Sequence, residues 1–127
     1  TGRNHQINGQ FDLSIQAYKA VVAINKGEWA AEARYEIAKC HYDLNSLTNA
    51  EKAAFEVIKQ SGSYDFWVTK SYILLGDIYF KQKDYFNSKA TFQSISENAT
   101  NPQLKKEAED KLQMVIEEEK KNSKIDG

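Results

Sequence analysis

Apolar residues recur every three or four positions along most of this chain, which is the spacing of one buried face of an α-helix. No segment alternates apolar and polar residues with a period of two, so we predict no β-strand. Short turns separate the periodic segments, and short loops make consecutive helices pack antiparallel. The pattern predicts an all-α chain of six helices, four of which span residues 12–25, 29–44, 64–82 and 85–97.

Capping signals place the remaining helix boundaries. Thr48 or Asn49 is expected to cap the third helix, which runs to about Gln60. Asn101 followed by Pro102 opens the last helix, because the missing N–H of proline costs nothing at the first helical position. That helix is predicted to run to about Lys121. Further expected features are an N-cap at Asp12, an N-cap at Asp84, breaks at Gly27 and Gly62, and an extra turn formed by residues 65–68 at the start of the fourth helix.

The turn residues return at regular intervals. Residues 9–11 are echoed by residues 45–47 after 36 positions, and these by residues 83–85 after 38. A fixed period of this length indicates a repeat architecture. Behind each turn come a small residue and then, four positions later, a second packing residue: Ser14, Ala50 and Ser88, followed by Tyr18, Ala54 and Phe92.

The small residues have a packing explanation. Ala38 or Gly76 in the first helix of a pair, and Ala50 or Ser88 in the second, are predicted where two helices cross closely. Larger side chains fill the space on either side of the crossing. One helix pair cannot bury both of its faces, so neighbouring pairs are expected to stack.

Residues 72–80 resemble the Trp-x-x-Leu-Gly-x-x-Tyr signature of the tetratricopeptide repeat, whose two helices and turns occupy about 34 residues. The resemblance implies a right-handed superhelix of about six antiparallel helices in one domain. It divides the chain into a half repeat at 9–28, repeats at 31–64 and 65–102 (the second with its extended first helix), a capping helix at 103–121 and a tail at 122–127.

A closer likeness concerns the order of three blocks, which begin with residues 33–35 and 64–79. This order resembles the C-terminal end of long multi-repeat tetratricopeptide proteins from Bacteroidetes-type bacteria. The likeness implies a fragment of a longer array and export to the cell envelope or periplasm, with the cytoplasm as the alternative. It is the only basis for a location.

Charge and cysteine content exclude several classes of function. The 127 residues carry a net charge of −1, which leaves no basic footprint for nucleic acid. No run of about 18 apolar residues is present, so no membrane insertion is expected. Cys40 is the single cysteine, and no intrachain disulfide can form. No phosphate loop, catalytic constellation or metal-ligand cluster appears, so we expect neither an enzyme nor a cofactor.

Three local motifs admit a bland and a chemical interpretation. Cys40 and His41 point about 100° apart on a helix and are interpreted as packing residues rather than a nucleophile or metal site. Residues 117–121 are interpreted as a solvated helix face with an ion pair between Glu117 and Lys121. Residues 98–100 match a glycosylation acceptor, which is a weak motif.

The aromatic residues Trp29, Phe66 and Trp67 lie in or beside the junctions between repeats. A tryptophan there can anchor a partner, since interface hot spots favour tryptophan and tyrosine. It can equally staple one repeat to the next. We favour the staple, and the anchor stays open.

The resemblance further implies that the first helix of each repeat lines a concave groove. This surface mixes aromatic rings with both signs of charge, which suits an extended peptide or a helix. The best-known peptide mode of the family grips a C-terminal carboxylate, but Asp77 and Glu107 at the matching positions would repel it. The candidate groove residues are Glu32, Tyr35, Lys39, Tyr42, Asp43, Lys70, Ile73, Asp77, Phe80, Lys81 and Met114.

The leading functional prediction is therefore a non-catalytic scaffold module that binds a protein or peptide partner in this groove. The alternative is a purely structural or oligomerisation module without a groove ligand. In that case, faces near Tyr18 and Met114 would pair between chains, or upstream repeats would cover them.

Overall fold

The computed structural model describes the backbone of residues 2–24 and 27–126, and the side chains of residues 10–20, 22 and 27–122. Every regular element within these ranges is an α-helix, and none is a strand, as predicted. None of the described helices is long and apolar enough to cross a bilayer. The helices are α1 (Gly2–Ile24), α2 (Glu28–Asp43), α3 (Leu47–Gln60), α4 (Asp65–Lys81), α5 (Tyr85–Asn98) and α6 (Pro102–Asp126).

Two predicted caps are confirmed in detail. The Asp84 carboxylate accepts a hydrogen bond from the backbone N–H of Asn87 at 3.2 Å. The Asn101 side-chain oxygen accepts bonds from the N–H groups of Gln103 and Leu104, both at 3.0 Å. These bonds satisfy donors that have no partner inside the first helical turn, and Pro102 follows at the first helical position.

Three predicted boundaries are wrong. α1 begins at Gly2 and passes through residues 9–11 without a turn, so Asp12 is not an N-cap. A glycine inside a helix costs only about 1 kcal/mol, which is too little to break α1 at Gly9. α3 starts at Leu47, before Thr48 and Asn49. α6 continues past Lys121 to Asp126, through residues with adequate helix propensity.

The first turn of α4 is less unusual than predicted. Residues 65–68 are helical, but α2 begins at Glu28. A step of 38 residues carries Glu28 onto Phe66, so the two helices share this turn. Only Asp65 is additional.

The chain divides into two compact units, residues 1–71 and 72–127, with the boundary inside α4. In the first unit, α2 packs against both α1 and α3. Its buried core is rich in alanine, which lets helix backbones approach closely. The core residues are Ile15, Ala30, Ala31, Ala33, Tyr35, Ala38, Cys40, Ala50, Ala54 and Val57.

The second unit has a bulkier core. A cluster that includes Phe92 is buried between α4, α5 and α6, and Phe80, Tyr85, Ala99 and Leu112 pack around it. Ion pairs from Lys89 to Glu119 (2.6 Å) and from Lys111 to Asp77 (2.7 Å) fix α6 to its neighbours. The buried members are Ile73, Phe92, Ile95, Leu104, Ala108 and Val115.

The turns after α2 and after α4 have the same backbone conformation. Asn45 (φ 60°) and Lys83 (φ 62°) occupy the left-handed region at positions 38 residues apart. In each turn, the following residue donates its N–H to a carbonyl five positions back: Ser46 to His41 at 2.8 Å, and Asp84 to Tyr79 at 2.9 Å. The period seen in the sequence therefore corresponds to a repeated local structure.

The predicted close crossing occurs in the second unit. A Cβ placed on Gly76 would come within 2.5 Å of the Phe92 ring. The buried Ser88 hydroxyl donates a hydrogen bond to the Gly76 carbonyl oxygen at 2.9 Å. Gly76 is thus required by the ring that covers it. At the equivalent positions of the first unit, Ala38, Ala50 and Ala54 are all fully buried.

Candidate functional site

The candidate groove residues divide between the two units. Those on α2, together with Lys70, belong to the first unit, and those from Ile73 onward belong to the second. Each group is described within its own unit. The first group is Glu32, Tyr35, Lys39, Tyr42, Asp43 and Lys70, and the second is Ile73, Asp77, Phe80, Lys81 and Met114.

The C-terminal half of α2 carries a half-exposed polar and aromatic surface, which we call the α2 face (Lys39, Tyr42 and Asp43). Lys39 Nζ lies 2.8 Å from Asp43 Oδ1 and 5.0 Å from the centre of the Tyr42 ring. The two charged side chains are 41% and 36% exposed. An ion pair this exposed contributes little stability, so its groups remain available to a partner at small cost.

A second feature, the aromatic cluster, combines Tyr35 of α2 with Phe66 and Trp67 of α4. The rings of Tyr35 and Trp67 are 5.6 Å apart, and Phe66 meets Trp67 edge-on at 4.9 Å. Lys70 Nζ lies 4.9 Å from the Tyr35 ring, 5.6 Å from Trp67 and 5.7 Å from Phe66. The cluster therefore holds an ammonium group supplied by the chain itself, in the geometry of cation–π contacts.

Two candidate groove residues are buried. Tyr35 is 8% exposed, and Ile73 is 4% exposed within the core of the second unit. Their side chains present little surface to a ligand. They support the neighbouring positions instead, Tyr35 by packing against Trp67 and lying under Lys70.

The second unit places Asp77 in an ion pair with Lys111, and both side chains are mostly buried, at 20% and 28% exposure. Phe80 packs edge-on against Tyr85 at 5.8 Å. Lys81 and Met114 are exposed. Because Lys111 already pairs with Asp77, this lysine is engaged at one of the positions where the family's carboxylate-binding mode would need a cation.

The acidic run of α6 is only partly a solvated face. Glu119 pairs with Lys89 of α5 at 2.6 Å rather than merely facing solvent. The predicted ion pair between Glu117 and Lys121 is absent from the ion pairs of the described side chains. Asn122, predicted to begin the tail, instead donates a hydrogen bond to the Tyr85 hydroxyl at 2.9 Å.

A shallow cleft of about 240 Å³ opens among α1, α2 and α3 of the first unit. Arg34 lines it, and its Nη1 donates a hydrogen bond to the buried Ser61 hydroxyl at 2.8 Å. That bond ties α2 to the end of α3. The remaining lining residues are Lys19, Val22, Ile37, Ala53 and Glu56.

The Cys40 and His41 side chains are in environments that disfavour chemistry. Burial raises the pKa of the Cys40 thiol, and the carboxylates of Glu36 and Asp43 raise it further. A thiol so placed is the protonated, unreactive form near neutral pH. Burial, and then the Lys19 charge, lowers the pKa of His41. Among the described residues, no group of three potential ligands is arranged to hold a metal ion.

The two tryptophans have different environments. Trp67 packs against Tyr35, which belongs to the preceding helix pair, and thus fits the staple interpretation. Trp29 is 72% exposed and does not act as a staple between the described side chains. The aromatic cluster itself was not predicted, although Lys70 follows Trp67 by three positions and Phe66 by four, a helical spacing that brings side chains together.

Comparison with known proteins supports the repeat assignment for one part of the chain. Residues 69–97 match the family model described as tetratricopeptide repeat. No curated protein and no solved structure gives a significant match. The matched segment includes most of α4 and nearly all of α5, with the Gly76 crossing and the Lys83 turn.

Proposed function

We propose that this protein is a non-catalytic interaction module that binds a protein or peptide partner on the groove side of its repeats, with the α2 face as the main contact surface. The carrying observation is the arrangement of Lys39, Tyr42 and Asp43, which present a ring and both signs of charge at the surface of a firmly packed helix. Such a surface offers apolar area and hydrogen bonding together, which peptide-binding sites require. The tetratricopeptide match over residues 69–97 favours a protein as the partner class.

The rigidity of the first unit supports this proposal. Tyr35 and Ala38, which lie between or beside the face residues along α2, are buried. The aromatic cluster ties α2 to the start of α4. A prearranged face loses less conformational entropy on binding than a mobile one, so a modest set of contacts suffices for specific recognition.

The test begins with partners captured from the source cells by crosslinking, followed by affinity measurements with each purified candidate. Tyr42→Ala should weaken the authentic complex by about tenfold or more, because truncating an interface hot spot commonly costs at least that much. Lys52→Ala, an exposed change on α3, is the matched control and should leave affinity unchanged. Equal affinities for Tyr42→Ala and the wild type would place the binding surface elsewhere.

A structural or oligomerisation role is the second candidate. It is favoured by the exposure of Trp29 and Leu13 in the first unit, at 72% and 67%. Self-association would cover such side chains in a second copy. Light scattering over a hundredfold range of concentration separates the candidates, since a constant monomer mass argues against self-association and a mass that rises with concentration argues for it.

A further inference from the structure

Trp29 and Trp67 occupy equivalent positions, because both lie in the first turn of the first helix of a pair and are 38 residues apart. Their surroundings nevertheless differ. Trp67 is half-buried against Tyr35 and Phe66. Trp29 is 72% exposed. The repeat therefore provides an internal reference for what this position can contact.

At Trp67 the chain supplies its own cation. Lys70, three positions later on the same helix, places its ammonium group 5.6 Å from the centre of the Trp67 ring. Residues three apart on a helix lie on the same side, so this contact follows from spacing alone. The face of an indole ring attracts a positive charge more strongly than the other aromatic side chains do.

At Trp29 the same position carries the opposite charge. A step of 38 residues back from Lys70 leads to Glu32, and the same step from Phe66 leads to Glu28. An exposed ring therefore stands beside two carboxylates, and neither has an ion pair among the described side chains. We call Glu28, Trp29 and Glu32 the Trp29 patch.

The electrostatic field around this part of the first unit is negative. The pKa of Tyr18 on α1 is raised, first by burial and then by nearby groups that include the carboxylates of Glu36 and Glu32. A negative field on one side of an exposed indole disfavours an anionic partner. It favours a cation that can contact the ring and a carboxylate together.

We infer that the Trp29 patch is a docking surface for a basic segment of a partner protein, whose Arg or Lys side chain covers the Trp29 ring and pairs with Glu32 or Glu28. The partner thereby supplies the cation that Lys70 supplies at Trp67. Arginine fits best, because its planar guanidinium stacks on the ring and presents several donors to a carboxylate. This inference rests on the proposed function, in that the patch serves a protein partner.

The experiment uses the full chain and a dye-labelled peptide of eight residues that alternates Gly and Arg, with a Gly and Glu peptide of the same length as the negative probe. Fluorescence anisotropy at low salt should detect binding of the Arg peptide only. Trp29→Ala should weaken binding about fivefold or more, since the exposed ring is the apolar part of the contact. High salt should weaken it as well, because exposed charges are screened.

Two charge reversals make the test specific. Glu32→Lys copies the Lys70 arrangement onto Trp29 and should weaken binding of the Arg peptide about tenfold or more. Glu109→Lys makes the same charge change at an exposed position of α6 and should alter binding less than about twofold. Thermal melting of each variant checks that the fold is retained.

Three results would overturn the inference: no binding of the Arg peptide to the wild type, unchanged binding by Trp29→Ala, or equal losses for Glu32→Lys and Glu109→Lys, which would indicate attraction by net charge alone. The proposed function is judged separately. If the Arg peptide fails to bind while an authentic partner still depends on Tyr42, only the docking surface is refuted. If the peptide binds but Tyr42→Ala leaves every partner unaffected, only the α2 face is refuted.

Discussion

The helix pairs α2–α3 and α4–α5 share a turn but fill their crossings differently. Ala38 and Ala54 stand in the first pair where Gly76 and Phe92 stand in the second. In the second pair the helix backbone leaves out a side chain so that a ring can occupy the space. In the first pair each helix contributes one methyl group. A repeat therefore conserves the volume at a crossing while it redistributes that volume between the two helices.

The largest expected effect comes from removing the ring. Phe92→Ala gives the second pair the residue that the first pair has at Ala54, but without the methyl group of Ala38 on the opposite helix. Phe92 is completely buried, so we expect a loss of about 3–5 kcal/mol in the free energy of unfolding, from lost burial and the cavity left behind. Urea denaturation measures the loss. A change below about 1 kcal/mol would mean that the site collapses to fill the space.

The next effect is steric. Gly76→Ala places a methyl group against the Phe92 ring, and we expect a loss of about 1–3 kcal/mol despite the better helix propensity of alanine. In the Phe92→Ala background the same change should be stabilising, because it rebuilds the combination of Ala38 and Ala54. A double-mutant cycle tests this reversal of sign. Independent, additive effects would refute the view that the two positions share one volume.

A smaller effect concerns the turns. Lys83→Gly should stabilise the protein by about 0.5–1 kcal/mol, because lysine at positive φ is strained and glycine is not. Asn45→Gly should change stability by only a few tenths of a kcal/mol, since asparagine tolerates the left-handed region. Thermal and urea unfolding of both variants give the comparison. Equal responses would mean that the cost at Lys83 is offset by other contacts of its side chain.

The smallest effect depends on pH. His41 in the first pair corresponds to Tyr79 in the second, and burial lowers the pKa of His41 below its usual 6.5. A neutral histidine in the fold contributes stability above pH 6.5, and that contribution is lost as the pH falls through 6.5 toward the lowered value. His41→Tyr, which copies the second pair, should flatten the dependence between pH 7.5 and 5.5. An equally steep dependence in that variant would assign the effect to other groups.

Helix positions and the repeat were predictable because both follow from apolar spacing and turn chemistry within a few residues. Asp84 and Asn101 cap their helices as their residue types suggested. The start of α1 was not predictable, since a glycine signals a turn only when the surrounding chain is forced to reverse there. The aromatic cluster was also missed, because it joins Tyr35 to Trp67 across 32 positions, and such a contact depends on tertiary packing.

The candidate groove divides in the same way. Its charged members on α2 could be identified from the sequence, and Lys39 and Asp43 lie at the surface. Tyr35 and Ile73, on the same helical faces, turn out to be buried because neighbouring helices cover them. Helical spacing assigns a residue to one side of a helix, whereas its accessibility depends on what packs against that side.

The unequal surroundings of the two tryptophans also provide an optical signal. Light emitted by Trp29, which stands largely in water, should lie at longer wavelength than light from Trp67, which is enclosed by Tyr35, Phe66 and the Lys70 stem. Occupancy of the N-terminal turn of α2 and loosening of α4 from α2 would then shift the spectrum in opposite directions. The chain thus carries, without any label, separate reporters for contact with another molecule and for its own cohesion.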